Sequence, residues 1–318
     1  MIQSPDIALI GLDWGSTNLR AYAIDAAGNI VDRRQSEAGA LTLEGESAFD
    51  AALVAMVVDW VQLHPAAMLI ACGMVGARTG WREAPYVACG AGAELAQQLA
   101  GMDQQLAGMG QRLAAGAISV ATSLGRPLVI VPGIKSNEPD VMRGEETQIV
   151  GSDVANGIVV CPGTHSKWVQ VSANHIESFA TFFTGEMHAL IRDYSSVGKA
   201  LNAAPTLDDG QSFHLGLSYA RTGAASWLHD LFVMRAAVVT GAKSPEQIST
   251  VLSGWLLGCE FAAALAIYPD TQEISLLASD ALVPWYERTG EAFGVKVNAL
   301  DSTEATARGL WRVAQRLH

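Results

Sequence analysis

Two short turns in this sequence carry the residue types of a phosphate clamp. Asp13-Trp14-Gly15-Ser16-Thr17-Asn18 follows an apolar run at residues 7–12, and Gly163-Thr164-His165-Ser166 follows another at 157–161. A phosphate tail is held by several donors converging from one loop: glycine lets backbone N–H groups approach, and Ser or Thr hydroxyls add to them. Gly15, Ser16, Thr17 and Asn18 are the expected contacts of the first turn, and Gly163, Thr164, His165 and Ser166 those of the second. Asp13 stands where a carboxylate would hold Mg2+ through water. A single turn of this kind reads as ordinary hairpin chemistry, because Gly, Ser and Asn favour turns on their own account. A pair, each directly after an apolar strand pattern, points to phosphate binding instead. His165 would donate to a phosphate oxygen or fix the turn through a structural hydrogen bond. Lys167 reads as a solvated strand end.

The elements that must carry these turns are legible in the hydrophobic pattern. Residues 7–12, 19–24 and 30–34 read as three short strands with turn residues between them; 157–161, 167–171 and 175–179 repeat that plan about 150 residues later. A helix is expected over 47–63, where Val54, Val57, Val58 and Val61 share a face, and a strand over 68–72. Residues 93–115 are Ala/Gln/Gly-rich and weakly helical, and 118–122 and 128–131 read as strands. Ser244-Pro245-Glu246-Gln247 is a capping box that opens a helix to about residue 266. The apolar stretch 251–268 within it carries Glu260 and reads as a core helix, being short for a membrane span. Gly254 and Gly258, one helical turn apart, suit close helix packing. A strand at 274–278, a helix at 281–292, a strand at 295–298 and a helix from Asp301-Ser302-Thr303-Glu304 to about residue 317 complete the pattern.

Composition narrows the function. The chain has 318 residues, half of them hydrophobic, which suits two lobes better than one core. A net charge of −12 argues against nucleic acid as a partner, since that surface needs cations facing phosphates. Cys72, Cys89, Cys161 and Cys259 form no C-x-x-C pair and read as reduced, buried thiols of a cytoplasmic protein. The first six residues lack a basic region, so no secretory signal is expected.

Four further segments narrow it more. They are Gly73-Met74-Val75-Gly76-Ala77-Arg78-Thr79-Gly80-Trp81 with Glu83-Ala84-Pro85-Tyr86; Val131-Pro132-Gly133-Ile134 with Asp140-Val141-Met142-Arg143-Gly144-Glu145-Glu146-Thr147-Gln148; Cys161-Pro162-Gly163-Thr164-His165-Ser166-Lys167-Trp168; and Phe182-Phe183-Thr184-Gly185-Glu186-Met187. With the first turn, they resemble the 2-dehydro-3-deoxygalactonokinase family of the actin/hexokinase/Hsp70 superfamily. The resemblance implies an α/β fold of two ribonuclease-H-like lobes with an ATP cleft between them. The N-terminal lobe would span 1–153 with substrate-binding insertions and the C-terminal lobe 154–318, its last helix able to pack back on the first lobe.

The activity that the resemblance implies is transfer of the γ-phosphoryl of ATP, with Mg2+, to the terminal (6-) hydroxyl of 2-dehydro-3-deoxy-D-galactonate, in galactonate catabolism. Such chemistry rests on positioning and charge neutralisation. A carboxylate base beside the accepting hydroxyl is expected from the acidic cluster before the second hairpin, Glu145 first and Asp140 second. The substrate carboxylate requires a cation, for which Arg143, Arg78, Arg82 and Lys135 are candidates. Trp81, Tyr86 and Trp168 would line the sugar pocket or serve packing. Superfamily members meet the nucleoside at a Gly-Gly-type turn after a late strand; Leu277-Ala278-Ser279-Asp280-Ala281 stands there without glycine, leaving Ala278 and Ser279 as the nucleoside-side candidates.

Other readings use the same turns. One is a different sugar or sugar-acid kinase. Another is an exopolyphosphatase-type phosphohydrolase with water as acceptor, although that branch usually carries Gly-Gly-Gly-Ser where this chain has Gly-Thr-His-Ser. A sugar-sensing regulator would need a helix-turn-helix arm, for which a strand starting at residue 7 leaves no room. The expected partner is a small-molecule keto-deoxy sugar acid, without nucleic acid or membrane, and a homodimer stays open.

Overall fold

Strand β1, Ile7–Trp14, is apolar along most of its length and buried on both faces, which suits a central strand. β2, Leu19–Asp25, and β3, Ile30–Ser36, continue from it as an antiparallel meander. Helix α1, Glu46–Leu63, then crosses over, and β4, Met68–Gly73, lies parallel to β1 on its other side. The computed structural model describes residues 6–90, 109–201, 204–221 and 227–317. After β4 come β5, Tyr86–Ala88, helix α2, Met109–Ala115, β6, Ile118–Val120, β7, Leu128–Ile130, β8, Gly133–Lys135, and β9, Val141–Met142. The 93–108 part of the weakly helical stretch lies outside the described residues. The first sheet has the order β3-β2-β1-β4-β7-β6, and β5-β8-β9 form a small sheet of their own. Helix α3, Glu145–Gly151, follows β9.

The plan then restarts, as the repeated pattern predicts. β10, Gly157–Cys161, β11, Ser166–Ser172, and β12, His175–Phe182, are followed by helices α4, Thr184–Tyr194, α5, Gly210–Arg221, α6, Trp227–Val239, and α7, Pro245–Ile267. β13, Glu273–Ala278, lies parallel to β10; helix α8, Val283–Phe293, β14, Lys296–Asp301, and helix α9, Ser302–Ala314, close the chain. The second sheet has the order β12-β11-β10-β13-β14. In both sheets a three-strand meander is extended on the far side of its first strand by a parallel one, which is the duplicated ribonuclease-H-like α/β plan.

The chain divides into two compact units. Unit 1 holds Met1–Asn156, Val169–Phe179 and Leu300–His318; unit 2 holds Gly157–Trp168 and Ala180–Ala299. In unit 1 the rings of Trp14, Phe49 and Trp81 pack together with centroids 5.4–6.1 Å apart. Helix α9 packs on α3, and Arg308 and Arg312 both pair with Asp153 there. In unit 2, α7 opens with the expected capping box: Ser244 Oγ accepts the Gln247 N–H, and Gln247 reaches back to the Ser244 N–H. Such a cap is worth about 1 kcal/mol. The helix is long and apolar enough to cross a membrane by length and composition, yet most of it is buried inside the unit. Gly254 and Gly258 let α5 approach so closely that a Cβ at Gly254 would lie 2.4 Å from the Phe213 carbonyl oxygen and one at Gly258 2.7 Å from Ala220 Cβ. Cys72, Cys89 and Cys161 are free and buried; Cys259, expected to be buried too, is half-buried.

Candidate active site

The first turn is fixed from both sides. Trp14 is fully buried, and its indole N–H donates to the Ala38 carbonyl at 2.9 Å. Gly15 N–H closes the turn onto the Asn18 carbonyl at 2.9 Å, and the carbonyls of Gly15 and Ser16 accept the N–H groups of Ala40 and Leu41. Gly39 packs so tightly on Ser16 and Thr17 that a Cβ there would sit 2.2 Å from Thr17 carbonyl carbon. Thr17 is exposed, and its Oγ1 accepts the Asn18 side-chain amide at 2.9 Å. Asp13, next to last in the strand, faces Arg20 directly across the hairpin, with a 3.0 Å ion pair. Burial pushes the Asp13 carboxyl up, Arg20 pulls it down, and the charge of Glu145 raises it further.

The chain turns at Gly144, with φ of +113°, where a side chain would be strained. Gly144 lies against Gly73, the β4 partner of Trp14, so the start of α3 is brought to the end of β1. Glu145 accepts the Arg143 N–H at 3.1 Å. Glu146 is fully buried and accepts the Gly144 N–H at 2.7 Å. Burial, helped by the charge of Glu145, pushes the Glu146 carboxyl up to about 7. Cys72 beside them is raised well above its usual range, first by burial and then by Asp13 and Glu146. Asp140, the second base candidate, sits before β9, where its carboxylate accepts the Val141 N–H at 2.8 Å. Among the described residues no group of three His, Cys, Asp or Glu side chains forms a metal cage.

Arg143 lies beside this turn. Its guanidinium stands 4.2 Å over the Tyr86 ring and donates to the Ala84 carbonyl at 2.9 Å, while Nε and Nη1 are buried without a hydrogen-bond partner. Tyr86 is 37% exposed and lies across Gly133. Lys135 and Arg78 are exposed, and Arg82 pairs with Glu46 on the surface. Trp81 departs from its expected place in the sugar pocket. It is 5% exposed, because its ring is taken up by Trp14 and Phe49 in the core.

The second turn is held by a different set of groups. Gly163 and Thr164 abut the start of α4, where a Cβ at Gly185 would lie 2.2 Å from the Gly163 oxygen, and Glu186 N–H donates to the Thr164 carbonyl at 2.8 Å. His165 Nε2 lies 2.6 Å from Glu186 Oε2, and its ring stacks on Phe183. Lys167, expected to be solvated, is 4% exposed and its ammonium donates to the His165 carbonyl at 3.1 Å. Ser166 is buried as well; its hydroxyl donates to Glu260 at 2.8 Å, so that oxygen faces the interior instead of a phosphate. Trp168 likewise belongs to the core, donating to Glu260 at 2.9 Å.

A cavity of about 220 Å3 lies within unit 2, lined by Gly163, Gly185, Ser253, Leu257, Leu282 and Trp285 among others. Ala278 is buried at the end of β13; Ser279 is exposed, and its carbonyl accepts the N–H groups of Leu282 and Val283. The expected nucleoside-side residues therefore hold the turn that positions Leu282 and Trp285 in the cavity wall.

Three partners escaped the sequence reading. Arg20 becomes legible only with the hairpin register. Glu186 was present in a family-like segment without a role. Glu260 carried a signal, an acidic residue in the most apolar helix, which is rare unless its carboxylate is paired.

The family described as 2-keto-3-deoxy-galactonokinase matches residues 13–313. A 2-dehydro-3-deoxygalactonokinase of Escherichia coli K12 is 34% identical over 311 residues, covering 96% of this chain and 97% of that protein. The crystal structure of a Sinorhizobium meliloti protein bearing the same kinase name has a TM-score of 0.83 at 31% identity, covering 96% of this chain and 98% of its own. Component A of the Acidaminococcus fermentans (R)-2-hydroxyglutaryl-CoA dehydratase, 12% identical with a TM-score of 0.51, shares the fold alone. With the family match running from Asp13 of the first turn to Val313 of the last helix, the chain belongs to the 2-keto-3-deoxy-galactonokinase family.

Proposed function

We propose that this protein transfers the γ-phosphoryl of ATP to the 6-hydroxyl of 2-dehydro-3-deoxy-D-galactonate in the cytoplasm. The observation that carries the reading is the turn Arg143-Gly144-Glu145. It presents a partly unpartnered guanidinium and a carboxylate from positions two residues apart, at the end of the strand that leads into the first phosphate turn. A cation and a base supplied by one short segment suit a substrate that carries both a carboxylate and an accepting hydroxyl.

Each residue then has a task. Arg143 binds the substrate carboxylate, with Tyr86 beneath its guanidinium and Lys135 and Arg78 supplying further positive charge. Glu145 takes the proton from the 6-hydroxyl as the phosphoryl arrives, and Glu146, buried behind it, keeps the turn in place through Gly144. Ser16, Thr17 and Asn18 in the first turn, which Gly15 closes, and Gly163, Thr164 and His165 in the second, donate to the phosphates. The cavity lined by Leu257, Leu282 and Trp285 takes the nucleoside. Asp13, whose carboxylate lies beside the first turn, would hold a divalent cation through water. Mg2+ commonly uses one or two carboxylates plus substrate phosphates, and when bound it would neutralise charge on the phosphoryl oxygens.

A coupled ADP-release screen over keto-deoxy sugar acids, aldohexoses and no acceptor tests the reading. ADP should form only with a keto-deoxy sugar acid. Equal release without acceptor would replace the kinase with a phosphohydrolase.

A further inference from the structure

Glu260 has no part in the chemistry above, yet it is among the most elaborately bonded side chains in unit 2. It is 2% exposed at the middle of α7. Oε1 accepts Ser166 Oγ at 2.8 Å, Trp168 Nε1 at 2.9 Å and Tyr286 Oη at 2.8 Å. Oε2 accepts Thr184 Oγ1. A buried carboxylate without partners is costly, and donors fixed on it are strong and directional. The four donors come from separate places that meet only here. Ser166 is the last residue of the second turn, and Trp168 continues the strand after it. Thr184 begins α4, the helix whose Gly185 supports Gly163, and Thr184 and Tyr286 both line the 220 Å3 cavity. Leu256 and Leu257, one turn back along α7, line the same cavity. One carboxylate thus bonds the phosphate turn, the helix beneath it and the cavity wall.

We propose that Glu260 is a positioning residue for ATP, holding the Gly163–Ser166 turn and the cavity wall in one frame through Ser166, Thr184 and Tyr286. The proposal rests on the reading of that turn as a phosphate clamp. It assigns Glu260 no contact with the nucleotide. Its loss should therefore weaken ATP use selectively and spare the sugar-acid site, whose proposed residues lie in unit 1.

The test is Glu260→Gln, which keeps the volume but removes one acceptor oxygen, with ATP and the sugar acid varied independently. KM for ATP should rise by about tenfold or more, the scale of one charge-assisted hydrogen bond, with KM for the sugar acid within about twofold. Tyr286→Phe removes one donor without leaving a buried charge alone, and should raise KM for ATP in the same sense by a smaller factor; it serves where Glu260→Gln does not fold. Gly163→Val is measured beside them, because a Cβ at Gly163 meets nothing within 4 Å, so the added bulk projects into the open space at the turn without a clash inside the fold. If Gly163→Val raises KM for ATP while both other variants leave it unchanged, the Glu260 proposal is overturned alone. If the Glu260 and Tyr286 variants raise both KM values equally, their role is general packing and the proposal is again overturned. If Gly163→Val has no effect, the phosphate-turn reading itself fails and the proposal falls with it.

Discussion

The two turns both place a glycine and small hydroxyl residues after an apolar strand, but the groups behind them differ in kind. Behind the first turn, unit 1 gathers charge: the Asp13–Arg20 pair, Glu145 and the buried Glu146. Around the second, unit 2 gathers neutral donors on one carboxylate: Ser166, Trp168, Thr184 and Tyr286 on Glu260. The first set is a group of carboxylates, one of them raised by burial to about 7; the second fixes four neutral donors on one buried carboxylate. Substitutions in the first should act on kcat, and substitutions around the second on KM for ATP.

The strongest way to break this contrast is Glu145→Gln. A general base contributes on the order of 10²–10⁴ in rate, so kcat should fall by about a thousandfold with both KM values within a few-fold. A near-normal kcat would remove Glu145 from the chemistry and leave Asp140 as the base. Next, Arg143→Ala should raise KM for the sugar acid by about 10- to 100-fold and leave KM for ATP nearly unchanged, from the loss of a charge-assisted pair. Equal effects on both substrates would exclude Arg143 as the carboxylate partner.

Glu146 sharpens the comparison through pH. Its carboxyl is raised in the folded protein from an ordinary value of 4.5 to about 7, chiefly by burial. A raised acid favours the folded state while protonated, so this stability is present below pH 4.5 and is lost as pH rises through 7. The cost of ionising it in place is on the order of 3 kcal/mol. Unfolding free energies at pH 5 and pH 8 should therefore differ more in the parent protein than in Glu146→Gln; parallel pH curves for the two would refute the assignment. The smallest effect belongs to Arg82→Ala. Its ion pair with Glu46 has side chains 54% and 66% exposed, and such a pair is worth roughly 0–1 kcal/mol. Both KM values should stay within about twofold, and a selective loss for the sugar acid would return Arg82 to the substrate site.

Much of the fold was legible because its signals are local. The apolar runs of 7–12 and 157–161, the turn residues after them and the Ser244 capping box each depend on neighbouring positions in the chain, and each element formed within a few residues of its expected place. The last helix ended at Ala314 instead of about residue 317, a boundary that fraying decides. The site was less legible, because aromatic and hydroxyl side chains have the same identity whether they face a ligand or a core. Trp81 and Ser166 were expected at ligands, yet the side chains of Phe49 and Glu260 claim them.

What the sequence alone determined, then, was the repeated strand–turn–strand plan, the two turns and the family-like segments between them, since these rest on residue type and short spacing. The tertiary structure decided which of those residues act together. Asp13 meets Arg20 only through strand register, the start of α3 comes to the end of β1 only because Gly144 can lie on Gly73, and Ser166, Thr184 and Tyr286 converge on Glu260 from positions up to 120 residues apart. Burial then set their chemistry. The same carboxyl group that would be a solvated charge in the unfolded chain is pushed up by burial at both Glu146 and Glu260, and at Glu260 four fixed donors pull it part of the way back.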